Sequence, residues 1–389
     1  MNFDFSPEQY EFRDSLRAML QKDFPLARAT AAAADHAIED GIWKSLAELG
    51  LFGLLAPGPH GGLDLTFVDA ALLLEELGAA LAPPAVFDTL LATDLLARHG
   101  SEEQKSRLLP RLAAGTLRVS IAGAEGHGFG PHAMQTLATA AGSHHVLRGT
   151  KILAAGADRA DLLLVAATVG SGESGVVLLE PGRAGVSMRP HETLDLSARY
   201  IEIDFDQVHL DPTDWLDGKT GAGILERLFD GAATIASLHM VGIASRMLDT
   251  TVLFAHTREQ FGKPIGSFQA IKHRCADMAV SLDAARTAAY YAAWALAESI
   301  DEQQRATSIG KSFCGDATRF ICNESIQIHG GMGFTWELGL HYYLRRAKLL
   351  EYAWGDATYH RERVLAHALS ALEQERGSDP TMASTGVAA

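Results

Sequence analysis

The chain holds 389 residues, 47% of them hydrophobic and 21% charged, which is ordinary globular composition with length for two or three domains. Its 48 acidic against 33 basic residues leave a formal charge of -15, a balance that repels a phosphodiester backbone, so no nucleic acid partner is expected. Three cysteines, Cys275, Cys314 and Cys322, have neither C-x-x-C nor zinc-cage spacing, which excludes an obvious metal site and fits a reducing compartment.

The opening MNFDFSPEQYEFRD lacks the basic, apolar or Ser/Arg-rich character of a targeting segment, and a cytoplasmic location is expected. Ser6-Pro7-Glu8-Gln9 combines an N-cap, a proline at the first helical position and a capping-box glutamine, and Phe12, Leu16, Met19 and Leu20 continue at helical spacing. Further helices are expected to end at Gly50, Gly78 and Gly100, with Ser101-Glu102-Glu103-Gln104 opening another. Residues 1–115 therefore read as an N-terminal helical domain.

Over 116–211 short apolar runs such as LLLVAA after Asp161 and VVLLE after Gly175 are separated by glycine, serine and proline. Ile201, Ile203 and Phe205 alternate with Glu202, Asp204 and Asp206, the period of a strand with one wet face. The middle domain is read as β. Beyond it, four helical stretches at about 220–257, 267–300, 302–329 and 338–373 predict a C-terminal bundle over 212–375. The most apolar of these, Gly231 to Ser245, contains His239 and runs into Arg246. It falls short of the roughly 18 to 20 residues that cross a bilayer, so a core helix and no membrane span are expected. Residues 376–389 carry no apolar stripe and read as a disordered tail.

Two motifs bear on chemistry. In Arg258-Glu259-Gln260-Phe261-Gly262-Lys263-Pro264-Ile265-Gly266-Ser267-Phe268-Gln269, an arginine at a helix end can aim a planar fork of donors at phosphate or carboxylate, or can satisfy the last helical carbonyls. In Gln327-Ile328-His329-Gly330-Gly331-Met332-Gly333-Phe334, glycines after a helix admit a close ligand, or form a plain helix end in which His329 is a packed turn residue.

Together these motifs, the later LRRAK segment and the helical-β-helical order resemble the acyl-CoA dehydrogenase family over nearly the whole chain. The resemblance implies an α+β fold with a helical N-terminal domain, a middle β-barrel domain and a C-terminal four-helix bundle. It implies homo- or hetero-oligomers with FAD between subunits, where Arg258, Gln260, Phe261, Gln327, Gly330 and Gly331 hold the ADP and pyrophosphate end of a neighbour's FAD. It also implies an acyl-CoA substrate, oxidised to 2-enoyl-CoA, and an electron-transfer flavoprotein as acceptor.

That reaction needs a carboxylate base. In the segment that matches the family's base-bearing stretch, Glu351-Tyr352-Ala353-Trp354-Gly355-Asp356, Trp354 occupies the glutamate's place, and an indole cannot accept a proton. The alternative family position, after Phe229-Asp230, is Ala232. Asp356 is the better rescue candidate and Glu351 the other. The segment Ala122 to Gly130 departs from the family's T-E-P-x-x-G-S-D pattern, and Leu153 and Ala155 replace a ring-contacting tryptophan and a hydroxyl. Nucleotide-gripping elements are kept while ring and base elements are altered, as in the degenerate subunit of heteromeric bacterial acyl-CoA dehydrogenases, including those acting on steroid side-chain thioesters. A self-sufficient homomer using Asp356 and a two-component flavin monooxygenase on the same fold are the competing expectations.

Overall fold

The computed structural model describes residues 5–126, 128–170, 172–218, 222–298, 300 and 302–378. Six helices come first: α1 (Pro7–Asp23), α2 (Leu26–Ala31), α3 (His36–Glu48), α4 (Phe67–Ala79), α5 (Pro84–His99) and α6 (Glu102–Ala113). Both capping boxes form, Ser6 with Gln9 at α1 and Ser101 with Gln104 at α6, each satisfying two donors that a helix start leaves orphaned. Gly50 and Gly100 follow α3 and α5 as expected, but Gly78 lies inside α4. Its role is a helix crossing: a Cβ there would stand 2.5 Å from the carbonyl oxygen of His239, and one on Gly242 would stand 2.0 Å from that of Glu75.

Seven strands follow: β1 (Val119–Ala122), β2 (Leu137–Ala141), β3 (His144–Ala155), β4 (Leu162–Val169), β5 (Ser174–Leu179), β6 (Val186–Pro190) and β7 (Tyr200–Leu210). In β7, Ile201, Ile203 and Phe205 are buried and Asp206 exposed, the alternation its sequence shows. The expected barrel is an open sheet. β4 carries β1 and β2 along one side and β5 along the other, and the path continues through β3 and β7 to β6. Register shifts between β3 and β7 at Leu147/Gly149 and Lys151/Ala154 bend the sheet. Closure would need a ladder between the outer strands β5 and β6, and among the described residues none forms.

The C-terminal helices are α7 (Ala222–Thr257), α8 (Gln269–Glu298), α9 (Gln303–His329), α10 (Leu340–Tyr352) and α11 (Ala357–Ser378), with a small hairpin, β8 (Glu259–Gln260) and β9 (Lys263–Pro264), after α7. Thus the fourth expected helix is two, split where Trp354 (φ 62°) and Gly355 (φ 104°) leave the right-handed helical region. Both halves pack on α9, which is why one helical period runs through the break. The span Gly223–Thr257 is long and apolar enough to cross a bilayer by length and composition, more than the short Gly231–Ser245 reading allows. Its most apolar window is nonetheless buried in the protein, as in a core helix. Most of the expected tail, 379–389, lies outside the described residues.

One buried arginine ties the three parts together. Arg346 of α10 donates to the Asp195 carboxylate in the β6–β7 connection, to the Ser197 hydroxyl at 3.1 Å and to the Ala82 carbonyl at 3.2 Å, while Tyr200 donates to the same aspartate at 3.2 Å. Removing either charge would leave the other buried without its partner, a change that costs about 3–5 kcal/mol.

Candidate functional site

Between the sheet and the α10–α11 connection lies a cleft of about 580 Å3. One wall is the Gly123–Gly126 segment and Gly128–Gly130, braced where the Ile152 N–H donates to the Ala124 carbonyl at 3.0 Å. Ile152 and Leu153 add alkyl surface, with Leu153 held at φ 58°. Ala155, expected beside it, is buried in the sheet and does not line the cleft. The opposite wall is Phe229 of α7 with Lys348, Leu349 and Tyr352 to Trp354.

Trp354 faces this cleft. Its ring meets Phe229 edge-on at 5.5 Å, and a Cβ on Gly123 would lie 2.6 Å from the indole, so glycine there makes room for the tryptophan. The connection bearing Trp354 is fixed from beneath by two buried side chains that sequence reasoning missed. Lys311 donates to the carbonyls of Glu351 at 3.0 Å and Gly355 at 2.7 Å. His360 contacts the Trp354 carbonyl at 3.0 Å through Nε2 and the Ser308 hydroxyl at 3.1 Å through Nδ1. Burial lowers Lys311 to about 7 against the pull of nearby acids, and burial, helped by the Lys311 charge, lowers His360 to about 3. The available signal was Gly355-Asp356 before Ala357, a helix breaker followed by an N-cap residue.

The acids near the cleft are engaged elsewhere or stand at its mouth. Asp356 accepts the Tyr359 N–H at 2.8 Å as the cap of α11 and does not line the cleft. Glu351 is paired with Arg319 at 2.5 Å and Lys348 at 2.9 Å, again outside the lining. Asp230 is fully buried and accepts from Arg363 at 2.9 Å and Gln303 at 3.3 Å, and Ala232 is buried with no acid to offer. Glu125 does line the cleft, but it accepts from Lys151 at 2.6 Å and from the N–H groups of Gln135 at 2.6 Å and Thr136 at 2.9 Å. Burial opposes its charge, yet Lys151 and these donors outweigh it and hold the carboxyl below its usual value, while burial lowers Lys151 to about 8. Glu192 also lines the cleft and is solvent-exposed.

The six expected nucleotide residues lie outside the cleft, where α7 and α9 end side by side. Phe254 of α7 stacks on His329 of α9 at 4.3 Å, and His329 Nδ1 contacts the Ser325 carbonyl at 2.7 Å, so His329 is a packing residue. Beyond that stack Arg258, Gln260, Gln327, Gly330 and Gly331 are exposed. Among the described residues the side chains of Arg258 and Gln327 have no partner, whereas Gln260 donates to the Glu259 carbonyl at 2.8 Å. Phe261 and Gly262 form the two-residue turn between β8 and β9, both with positive φ (55° and 79°), and Phe261 is 93% exposed. Nothing stands within 4 Å of a Cβ built on Gly330 or Gly331.

The arrangement is an apolar cleft between a sheet and a helical bundle, with a separate polar, glycine-bordered surface at the bundle's other end. The family descriptions "Acyl-CoA dehydrogenase, N-terminal domain" and "Acyl-CoA dehydrogenase, C-terminal domain" match residues 6–116 and 220–369. The probable acyl-CoA dehydrogenase YngJ of Bacillus subtilis is 31% identical over 93% of this chain and 98% of its own. A variant of the Tcur3481-Tcur3483 steroid ACAD superposes with a TM-score of 0.85 at 27% identity, covering 93% of this chain and 99% of that one. PigA with FAD and proline gives a TM-score of 0.85 at 25% identity, covering 95% and 99%. The chain belongs to the acyl-CoA dehydrogenase family of FAD-dependent oxidoreductases.

Proposed function

We propose that this chain is a subunit that completes the FAD site of a catalytic acyl-CoA dehydrogenase partner and does not itself supply the base. The observation that carries this reading is Trp354, an indole held in the cleft by a connection pinned from below, where the family resemblance implies the base. A general base is worth about 10²- to 10⁴-fold in rate; Asp356, Glu351 and Glu125 are each committed to caps or ion pairs, and Glu192 lines the cleft as a solvent-exposed carboxylate. The capping role of Asp356 weighs against the self-sufficient homomer.

The nucleotide surface supports the other half of the reading. Arg258 and Gln327 are free to bond phosphate and adenosine groups of a dinucleotide, Gly330 and Gly331 leave room for close backbone approach, and Gln260 and Phe261 stand at the rim. The outlier at Phe261 supports it too, because a bulky residue at positive φ is 93% exposed and among the described residues its ring meets only Phe268, edge-on at 6.1 Å. FAD bound between the chains supplies the hydride acceptor for α,β-dehydrogenation of an acyl-CoA. An electron-transfer flavoprotein is the proposed acceptor, the cytoplasm the proposed location, and the steroid ACAD likeness supports a steroid side-chain or other lipid thioester as substrate class.

The experiment is flavin stoichiometry after expressing the chain alone and together with an acyl-CoA dehydrogenase chain encoded beside it. The expected result is little flavin alone and one FAD for each pair of chains together, with enoyl-CoA formed only by the pair. Full occupancy and turnover by the chain alone overturn the proposal.

A further inference from the structure

A second cavity, of about 320 Å3, opens between the end of α1, the start of α2, α4, the middle of α7 and the start of α10. It shares no lining residue with the cleft and lies at the lower end of the range of small-molecule sites, about 300–1,000 Å3. Its apolar walls include the buried Leu20, Phe24 and Leu340 and the half-buried Leu26 and Leu338.

The charges of the cavity do not cancel. Arg17 is engaged by Glu76 through two hydrogen bonds, one of them 3.0 Å, and lies 3.8 Å from Asp14. That leaves Arg246, whose guanidinium has no hydrogen-bond or ion-pair partner among the described residues. Beside it Tyr343 is only 6% exposed, and its hydroxyl likewise has no hydrogen-bond partner. Burial raises the phenol above its usual value, with the Arg246 charge opposing, so the hydroxyl remains a donor. Among the described residues, then, a cation without a charged partner and a phenol hydroxyl without an acceptor face one cavity, and both are donors that an anionic group can meet.

We infer that this cavity binds a monocarboxylate with an apolar tail, the carboxylate between Arg246 and the Tyr343 hydroxyl and the tail along Leu20, Phe24 and Leu338. A single negative charge balances the one uncompensated arginine, whereas a phosphate dianion would leave excess charge close to Glu76. A neutral tail would leave both polar groups unmet. The inference does not depend on the partner-subunit reading.

Calorimetric titration of the purified protein, in whatever assembly it forms, with octanoate, octan-1-ol and inorganic phosphate tests it. Octanoate is expected to bind saturably, one per chain, and octanol and phosphate not to saturate. Arg246→Met should weaken octanoate about ten- to a hundredfold, and Tyr343→Phe about two- to tenfold, with the circular dichroism spectrum unchanged. Should Arg246→Met fail to fold, Tyr343→Phe carries the test alone. Three results overturn the inference: octanoate affinity indifferent to both substitutions, phosphate binding at the Arg246 site, or a change of oligomeric mass in Arg246→Met, which would make another subunit the missing counter-charge.

Discussion

The two ends of the bundle use polar groups in opposite ways. Behind the cleft the carbonyls of the α10–α11 connection are taken up within the chain: Lys311 binds those of Glu351 and Gly355, and His360 that of Trp354. At the far end the exposed side chains of Arg258 and Gln327 have no partner among the described residues, and Phe261 holds a strained turn in solvent. A self-contained active site would reverse this, keeping a free carboxylate sheltered within its cleft, where here Glu192, unpaired among the described residues, is solvent-exposed, and satisfying its outer surface. The cleft side of this chain is closed on itself, while the surface around Arg258 and Gln327, proposed above as the nucleotide side, leaves its polar groups to solvent.

The comparison breaks first at Lys311. Lys311→Met strands two buried carbonyls and should cost about 2–5 kcal/mol by urea denaturation. It also has a pH signature. With Lys311 lowered to about 7 from its usual 10.5, the unfolded chain holds a proton between those values that the native chain has shed, so this group makes stability rise with pH across that window. The substitution should flatten the rise, leaving the smaller contribution of Lys151, lowered to about 8. An unchanged slope would remove Lys311 as the clamp.

At the other end, Arg258→Ala should weaken FAD retention of the co-expressed pair about ten- to a hundredfold with little shift in melting temperature, since an exposed side chain loses only its ligand. Arg258→Lys should recover part of that, because the charge returns without the planar fork. Unaltered flavin content would show that the free arginine is an ordinary surface residue.

Smaller effects sharpen the contrast. Asp356→Ala should cost about 1 kcal/mol through the lost α11 cap and leave turnover of the pair intact. A drop of about a hundredfold or more would instead make it the base. Phe261→Gly should relieve roughly 1–2 kcal/mol of backbone strain in the isolated chain while weakening flavin retention by the pair, read by melting and by flavin absorbance.

Much of the fold was legible because it rests on local rules. The capping boxes at Ser6 and Ser101 and the alternation in β7 depend on neighbours a few residues away. The open sheet was not legible, because strand edges are paired or left free by segments distant in sequence. Gly78 looked like a helix end and proved to be a contact between α4 and α7, a distinction that only the facing Gly242 reveals. In the site, the indole at position 354, where the family resemblance implies a base, could be read directly, and the fate of the neighbouring acids could not. Asp356 became a cap and Glu351 an ion pair because of where α11 starts and where Arg319 stands on α9.

Sequence by itself determined the family, the order of helical and β segments, and the presence of an indole at position 354, since each is written in residue types and short spacings. Tertiary structure alone decided that Lys311 and His360 hold that position in place, that the Arg258 and Gln327 side chains have no partner among the described residues, and that Arg246 and Tyr343 share a cavity. The physical reason is that burial and pairing are properties of what surrounds a group, and those surroundings come from parts of the chain far apart in sequence.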